Sequence, residues 1–124
     1  MVKRSAAILL IDDDTSQGLA TVDLLAAHGH RPALAASAER AAELLTAPHH
    51  IDVVILDLQL GAERGEWLIE KLRHDGAKVP AIVILSARPL PELTTASKFV
   101  KAECILMKPC SAQRLLEAIE LALK

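Results

Sequence analysis

The sequence predicts a doubly wound α/β fold: one five-stranded parallel sheet, in the order 2-1-3-4-5, between two layers of helices in a three-layer sandwich. Two observations predict it. Short apolar runs recur along the chain, and a helical pattern fills each gap between them. This alternation favours parallel strands with right-handed crossovers, which places helices on both faces of the sheet. A chain of 124 residues has room for one such domain, so we predict a single domain over residues 1–124.

Five runs are predicted as strands. Apolar runs of this length between polar residues are typical of strands buried on both faces. The second run is the weakest of the five. The predicted strands are Ala7 to Ile11, Pro32 to Ala35, Ile51 to Leu56, Ala81 to Leu85 and Cys104 to Met107.

Capping and helix-ending residues bound the predicted helices. Asp14 or Thr15 caps the first helix, which ends at Gly29. Ser37 caps the second, which ends at Pro48. The other limits are an end near Gly76 for the third helix and starts at Pro91 and Ser111 for the fourth and fifth.

Each of four helices is predicted to bury one stripe of side chains. The stripes are Leu19, Val22 and Ala26; Leu68, Ile69 and Leu72; Leu93, Ala96 and Val100; and Leu115, Ala118, Ile119 and Ala122. Trp67 lies off its stripe and is predicted to be partly exposed. Leu116, Leu121 and Leu123 give the last helix an apolar outer face, which is compatible with a homodimer through the last helices.

Composition and charge exclude several classes of protein. Hydrophobic residues make up 52%, which indicates a globular chain. The net charge of -2 without a Lys/Arg run argues against a nucleic-acid partner. No stretch reaches the roughly 18 apolar residues of a membrane helix, and the start MVKRSAAILLI runs into aspartates instead of a cleavage site. We expect a cytoplasmic protein without membrane contacts, whose two cysteines are reduced.

Four predicted strands end at polar side chains. Asp12 and Asp13 follow the first strand, Asp57 the third, Ser86 the fourth, and Lys108 the fifth. In a sheet of order 2-1-3-4-5 the first and third strands are neighbours at the point where ligands bind, so the three acids should converge in one crevice. Crowded carboxylates repel one another unless a cation joins them, and an oxygen-rich site suits Mg²⁺.

The same set of residues suits phosphoryl transfer. A carboxylate is a competent nucleophile toward phosphorus and forms an aspartyl phosphate. With Mg²⁺ between Asp57 and the incoming group, Lys108 and the Ser86 hydroxyl can neutralise and hydrogen-bond the other phosphoryl oxygens. The alternative is a set of solvated strand ends, which is disfavoured because clustered ionisable groups are typical of functional sites.

These motifs resemble the receiver domain of bacterial two-component response regulators along the whole chain. The matching elements are Asp12 and Asp13 after ILLI, Asp57 after DVVIL, Gly65 at the start of the third helix, Ser86-Ala87 after the fourth strand and Lys108-Pro109 after the fifth. The strand order 2-1-3-4-5 is that of this family's flavodoxin-like fold, so the fold prediction depends on the resemblance as well as on the pattern.

The resemblance implies a signalling domain instead of an enzyme. Asp57 would accept a phosphoryl group from a histidine kinase or histidine phosphotransfer protein, and Mg²⁺-dependent self-phosphorylation and self-dephosphorylation are expected. It further implies that Asp13, Asp57 and the backbone carbonyl of Gln59 ligate Mg²⁺, with Asp12 acting largely through water. It also implies a cis peptide bond between Lys108 and Pro109.

Three positions depart from the family pattern. Gly61 stands where the family often has proline, which predicts a looser loop after Asp57. Ile105 replaces the usual Tyr or Phe, so readout through a moving ring is not expected. Lys101 replaces a frequent glycine before the fifth strand.

Two other functions compete with this interpretation. A haloacid-dehalogenase-like phosphatase would use Asp12 as nucleophile, followed by Asp14 and Ser16, but it needs a further acidic ligand after the lysine. Only Glu117 and Glu120 are available there, within a helix. A flavodoxin-like mononucleotide-binding module needs a phosphate loop after the first strand, where three carboxylates would repel the phosphate.

The remaining polar residues receive structural predictions. Asp14 is more plausible as a helix cap than as a ligand. The pairs His28 with His30 and His49 with His50 are predicted to be solvated loop residues, because no third ligand is nearby. Since the chain ends directly after the fifth helix, we expect either a stand-alone regulator or a part of a larger regulator or kinase.

Overall fold

The computed structural model describes residues 5–124; residues 1–4, which begin the segment considered above as a targeting sequence, lie outside the described residues. The strands are β1 (Ala7–Ile11), β2 (Arg31–Ala35), β3 (Val53–Leu56), β4 (Gln59–Leu60), β5 (Glu63–Arg64), β6 (Ala81–Ser86) and β7 (Cys104–Met107). The central sheet has the order β2-β1-β3-β6-β7 with all neighbours parallel, which confirms the predicted order. The unpredicted strands β4 and β5 form a small antiparallel hairpin.

Within residues 5–124, four helices connect the strands and a fifth follows the last strand. They are α1 (Thr15–Ala27), α2 (Ala38–Thr46), α3 (Gly65–His74), α4 (Leu90–Val100) and α5 (Ala112–Ala122). The side chains of Asp14, Ser37 and Ser111 each accept a backbone N–H from the first turn of the following helix. This confirms Asp14, one of the two predicted candidates, and Ser37 as caps, and it shows that Ser111, the predicted start of the last helix, is its cap. Within residues 5–124, no helix is long and apolar enough to cross a bilayer.

Alternate residues of each strand fill two separate cores, one on each face of the sheet. On β1, Leu9 and Ile11 pack toward α2, α3 and α4, whereas Ile8 and Leu10 pack toward α1 and α5. The predicted stripes of α3 and α4 are buried, and so is that of α5 apart from its half-buried last member, Ala122.

The predicted stripe of α1 is wrong at two of its three positions, since only Val22 packs against the core. Leu19 is 56% exposed and Ala26 is exposed, whereas the buried residues of this helix are Gly18 and Leu25. The reason is a close approach to β2, because a Cβ on Gly18 would lie only 2.8 Å from a methyl carbon of Leu34. The glycine lets α1 approach β2 there, which turns Leu19 toward solvent.

The prediction for His30 is also wrong. This side chain is 7% exposed, and its Nδ1 accepts the backbone N–H of Ala6 at 3.2 Å. It therefore satisfies a buried amide just before β1, where the sheet offers no strand partner. His28 and His50 are exposed, as predicted.

Candidate functional site

The predicted acids converge at the carboxyl edge of the sheet. β1 pairs directly with β3, and the Asp57 N–H continues this pairing to the Ile11 carbonyl at 2.9 Å. One carboxylate oxygen from each of Asp12, Asp13 and Asp57 lies within 4.8 Å of the others. Asp12 and Asp57 are 3% and 8% exposed, and Asp13 is exposed. The predicted convergence of these three residues is confirmed.

Backbone amides orient all three carboxylates. Each acid accepts one N–H from a nearby loop, which fixes one of its oxygens and holds the side chain in place. The pairs are Asp12 Oδ1 with Asp14 N at 2.9 Å, Asp57 Oδ1 with Gln59 N at 3.0 Å, and Asp13 Oδ2 with Gly61 N at 2.8 Å.

Lys108 joins the two buried acids. Its Nζ lies 3.0 Å from Asp57 Oδ2 and 3.2 Å from Asp12 Oδ2. It also donates to Gln17 Oε1 at 3.2 Å, a contact that sequence reasoning missed. Three carboxylates against one ammonium leave the site with an excess of two negative charges.

Burial and pairing shift the ionisation of this pair. Burial raises the pKa of Asp57, and the opposing effects of the Gln59 N–H and Lys108 do not cancel it. For Lys108, burial acts to lower the pKa, but its hydrogen bonds and charge interactions with Asp57 and Asp12 outweigh burial and raise it. Lys108 thus remains protonated at neutral pH. Asp57 is the member of the pair whose charged form is disfavoured by burial.

Ser86 ends β6 and is 1% exposed. Its Oγ accepts the backbone N–H of Arg88 at 3.3 Å, and its carbonyl accepts the N–H of Lys108 at 2.9 Å. Since the hydroxyl oxygen is the acceptor in this contact, its own proton is free to be donated to another group. The serine is therefore held between the last two strands with a hydrogen-bond donor available.

A buried ion pair beside the site was missed from the sequence. Glu66 is 8% exposed, and Arg88 Nη1 donates to both its carboxylate oxygens, at 2.9 and 3.2 Å. Arg88 Nη2 donates to the Leu58 carbonyl at 2.9 Å. This arginine therefore ties the loop after Ser86 to the residue that follows Asp57. Twenty-two residues separate the two charges, so no local pattern signals the pair.

The local backbone explains three of the residues singled out above. A Cβ on Gly65 would lie 2.5 Å from the Asp57 carbonyl oxygen, so only glycine permits this approach of α3. Gly61 has φ +61°, and its N–H is bound to Asp13, a contact that proline cannot make, so the loop is tethered there and not simply loosened. Lys101 has φ 58°, the left-handed conformation that favours glycine. The Lys108-Pro109 bond is cis.

The donor set fits Mg²⁺. Three carboxylates within mutual reach supply hard oxygen ligands, and their excess negative charge favours a divalent cation. Among residues 5–124, no further acid, histidine or cysteine joins this group. Glu117 and Glu120, which the phosphatase alternative would need, lie exposed on α5 beside a separate cavity that His28 also lines.

Comparisons with known proteins agree with this geometry. Residues 8–120 match the family model of the response regulator receiver domain. The regulatory protein VirG of Agrobacterium fabrum is 30% identical over 121 residues, which cover 94% of this chain and 46% of VirG. The VirG of Agrobacterium tumefaciens is 29% identical, with 43% of its length covered. The chain thus spans about half the length of these relatives.

Solved structures give the same result. A response regulator receiver domain protein from Clostridium thermocellum has a TM-score of 0.83 at 29% identity, covering 95% of this chain and 94% of that one. A response regulator protein from Burkholderia pseudomallei, solved with a phosphorylated aspartic acid, a calcium ion and citrate, has a TM-score of 0.79 at 25% identity, covering 92% and 66%. On sequence and fold together, the chain belongs to the response regulator receiver domain family.

Proposed function

We propose that this chain is a phosphoacceptor switch of a two-component system and that Asp57 accepts the phosphoryl group. The family acts as a signalling switch and not as a classical enzyme. The observation that carries the proposal is the buried Asp57 beside two further acids, with Lys108 Nζ 3.0 Å from its carboxylate. The relative from Burkholderia pseudomallei, with its phosphorylated aspartic acid, supports it. The proposal keeps the sequence predictions of one domain over residues 1–124 and of a cytoplasmic location.

Each residue has a distinct role in the transfer. An Asp57 carboxylate oxygen forms a bond to phosphorus while the bond from phosphorus to the donor atom breaks, and the donor leaves with the electron pair. Lys108 compensates negative charge at Asp57, and the Ser86 hydroxyl donates to a phosphoryl oxygen.

Mg²⁺ would be held at the same edge by carboxylates and one backbone carbonyl. The proposed ligands are Asp13, Asp57 and the carbonyl of Gln59, with Asp12 acting largely through water. When bound, the ion would supply positive charge that offsets the negative charge of the carboxylates and of the incoming phosphoryl group. The chain's own contribution is orientation, because backbone N–H groups already fix one oxygen of each acid.

The proposed phosphodonor is a histidine kinase or a histidine phosphotransfer protein. A cleft of about 550 Å³ opens between α1 and α5, directly beside Asp12 and Lys108. Leu24 and Leu115 give it an apolar wall, whereas Gln17 lies at its polar end. Such a cleft fits a helix that presents a phosphohistidine to Asp57. The homodimer through the last helices stays a prediction.

Labelling with a small phosphodonor tests the acceptor. Asp57→Asn should abolish incorporation of phosphate from labelled acetyl phosphate, because the amide lacks the anionic oxygen, and removal of Mg²⁺ should abolish it in the unaltered protein. Asp52→Asn is the matched control, since Asp52 lies five residues earlier at the opposite edge of the sheet. Base-labile phosphate that still accumulates on Asp57→Asn at the normal rate would refute the assignment. Turnover that depends on Asp12 would favour the phosphatase.

The output of the switch is proposed to travel through the backbone from residue 86 to 101. Ile105 is half-buried against the core and offers no ring to move behind Ser86. If the Ser86 hydroxyl moves toward a phosphoryl oxygen, it takes Arg88 and the start of α4 with it. Hydrogen exchange with and without beryllofluoride should show the largest changes in 86–101 and small ones at Ile105. Equal changes at Ile105 and Ala87, or none in 86–101 of a loaded sample, would contradict this route.

A further inference from the structure

The chain's only tryptophan and only phenylalanine line the same surface groove. The sequence contains one Trp, one Phe and no Tyr. Trp67 on α3 is 60% exposed and Phe99 on α4 is 48% exposed. Both border a groove of about 410 Å³ between these helices. Single exposed apolar residues are ordinary, but aromatic residues gathered in one groove are typical of protein interfaces.

The two walls of this α3–α4 groove carry opposite charges. On the α3 side, the guanidinium of Arg64 lies 5.3 Å from the centre of the Trp67 ring. On the α4 side, Glu92 is exposed near the start of the helix that carries Phe99 near its end. Neither Arg64 nor Glu92 belongs to any ion pair found in the described part of the chain. Each wall therefore pairs an aromatic ring with a charge that has no ionic partner.

The floor of the groove can be covered without isolating a charge. It contains Glu66 and Arg88, which already neutralise each other through two hydrogen bonds. A partner that covers this floor does not have to supply a counter-ion, so the desolvation penalty of an unpaired buried charge does not arise. The outer wall charges, in contrast, gain from a partner of opposite sign.

We propose that the α3–α4 groove binds the same groove of a second copy of this chain in a two-fold interface. A two-fold axis places each residue against its complement twice, so Arg64 faces Glu92 of the partner subunit and Glu92 faces the partner subunit's Arg64. The Trp67 wall then meets the Phe99 wall. Any other partner must bring one acid, one base and an apolar surface in the right order, whereas a second copy carries all of them.

This interface differs from the outer face of α5, which the sequence analysis found compatible with a homodimer. It also leaves open the cleft between α1 and α5 that the phosphodonor is proposed to enter. The proposal does not depend on phosphorylation of Asp57 and can therefore fail or succeed separately.

Sedimentation equilibrium of the full chain over a concentration series, without phosphodonor, is the first test. Trp67→Ala and Phe99→Ala should each weaken dimerisation at least about tenfold, as truncation of a central aromatic anchor does. Leu121→Ala is the matched control, since Leu121 is 51% exposed on α5. A chain that stays monomeric up to about 1 mM, or a dimer weakened by Leu121→Ala and not by the aromatic variants, would overturn the proposal.

Charge reversal is the second test and needs no assumption about the aromatic rings. Arg64→Glu alone and Glu92→Arg alone should both weaken the dimer, because each brings like charges together at both contacts. An equal mixture of the two variants should form a heterodimer as tight as the original dimer, since unlike charges again oppose each other twice. Recovery in the mixture also shows that both variants are folded. Weakening without recovery would overturn the two-fold arrangement and favour a different partner.

Discussion

The two edges of the central sheet carry similar polar residues but use them in opposite ways. At the amino edge three polar side chains satisfy backbone groups: Asp52 Oδ2 accepts the N–H of Ala7 at 2.9 Å, His30 Nδ1 that of Ala6 at 3.2 Å, and His49 Nδ1 that of Ile51 at 3.2 Å. At the carboxyl edge, three acids also accept backbone amides, but they lie within 4.8 Å of one another and share one lysine. Both edges are hydrogen-bonded, but within residues 5–124 only the carboxyl edge brings three acids together around one lysine.

This difference shows what separates a structural cap from a site. Asp52 removes an unsatisfied donor at the start of β1, so the fold gains from its presence. Asp57 is also hydrogen-bonded to a backbone N–H, yet burial raises its pKa despite Lys108. Its ionised form therefore lowers the stability of the folded state. A buried carboxylate that destabilises the metal-free protein would be retained for a reason other than folding, which for Asp57 we propose to be the binding of a cation and a phosphoryl group.

Loss of Lys108 should give the largest effect. Lys108→Met leaves Asp12 and Asp57 buried without a counter-ion, so the free energy of unfolding in metal-free buffer should fall by about 3 kcal/mol. Urea unfolding measures it, with the exposed Lys98→Met as control. Mg²⁺ should restore more stability to this variant than it adds to the unaltered protein. A loss no greater than that of the control would mean that the acids do not need the lysine.

Asp52→Ala tests the amino edge and should be the next largest. The Ala7 N–H loses its acceptor, which should lower the free energy of unfolding by about 1 to 2 kcal/mol, whether or not Mg²⁺ is present. Asp52→Asn keeps an amide oxygen that can accept the same N–H and should lose clearly less. If Mg²⁺ altered the effect of Asp52→Ala, the separation of the two edges would be wrong.

Asp57→Asn should stabilise the metal-free protein in a pH-dependent way. Because the folded pKa of Asp57 is raised, its contribution to stability is present below the ordinary value of 3.8 and is lost as pH rises through the folded value. The variant should therefore melt higher than the unaltered protein at pH 7, and the difference should shrink as pH falls toward 3.8. Calorimetry across this range measures it. A gap that widens on acidification would reverse the sign of the shift.

Strand ends were predictable because the apolar runs are long enough to be read without knowing the fold. The runs before Asp12 and Asp57 place both acids at one edge once the strand order is fixed, and the run before Lys108 adds the lysine. The limits were less accurate where side chains bind backbone. β3 starts at Val53 and not at Ile51, since the side chain of Asp52, and not a backbone carbonyl of this segment, accepts the N–H of Ala7.

What the sequence did not predict depends on contacts between distant segments. The face of α1 follows from the approach of Gly18 to Leu34 on β2. The pair of Glu66 and Arg88 joins two loops that share no local pattern, and the burial of His30 depends on an amide 24 residues away. Helical periodicity indicates which apolar residues share one face of a helix. Which neighbouring element contacts that face is determined by the packed structure.

Asp13→Asn should give the smallest effect and is the sharpest contrast with Asp52. The substitution removes one of three crowded negative charges but keeps an oxygen that can accept the Gly61 N–H, so the loop tether survives. The melting temperature in metal-free buffer should therefore rise by about 1 to 2 °C, whereas it falls for Asp52→Ala.

The control for the loss of one charge from the whole chain is Asp23→Asn, since Asp23 is an exposed acid on α1. Mg²⁺ affinity, measured by calorimetry, should decrease for Asp13→Asn and stay unchanged for Asp23→Asn. A melting temperature that drops in metal-free buffer would show that Asp13, like Asp52, is held in place to cap backbone groups, and that the excess charge at the carboxyl edge is relieved by Lys108 alone.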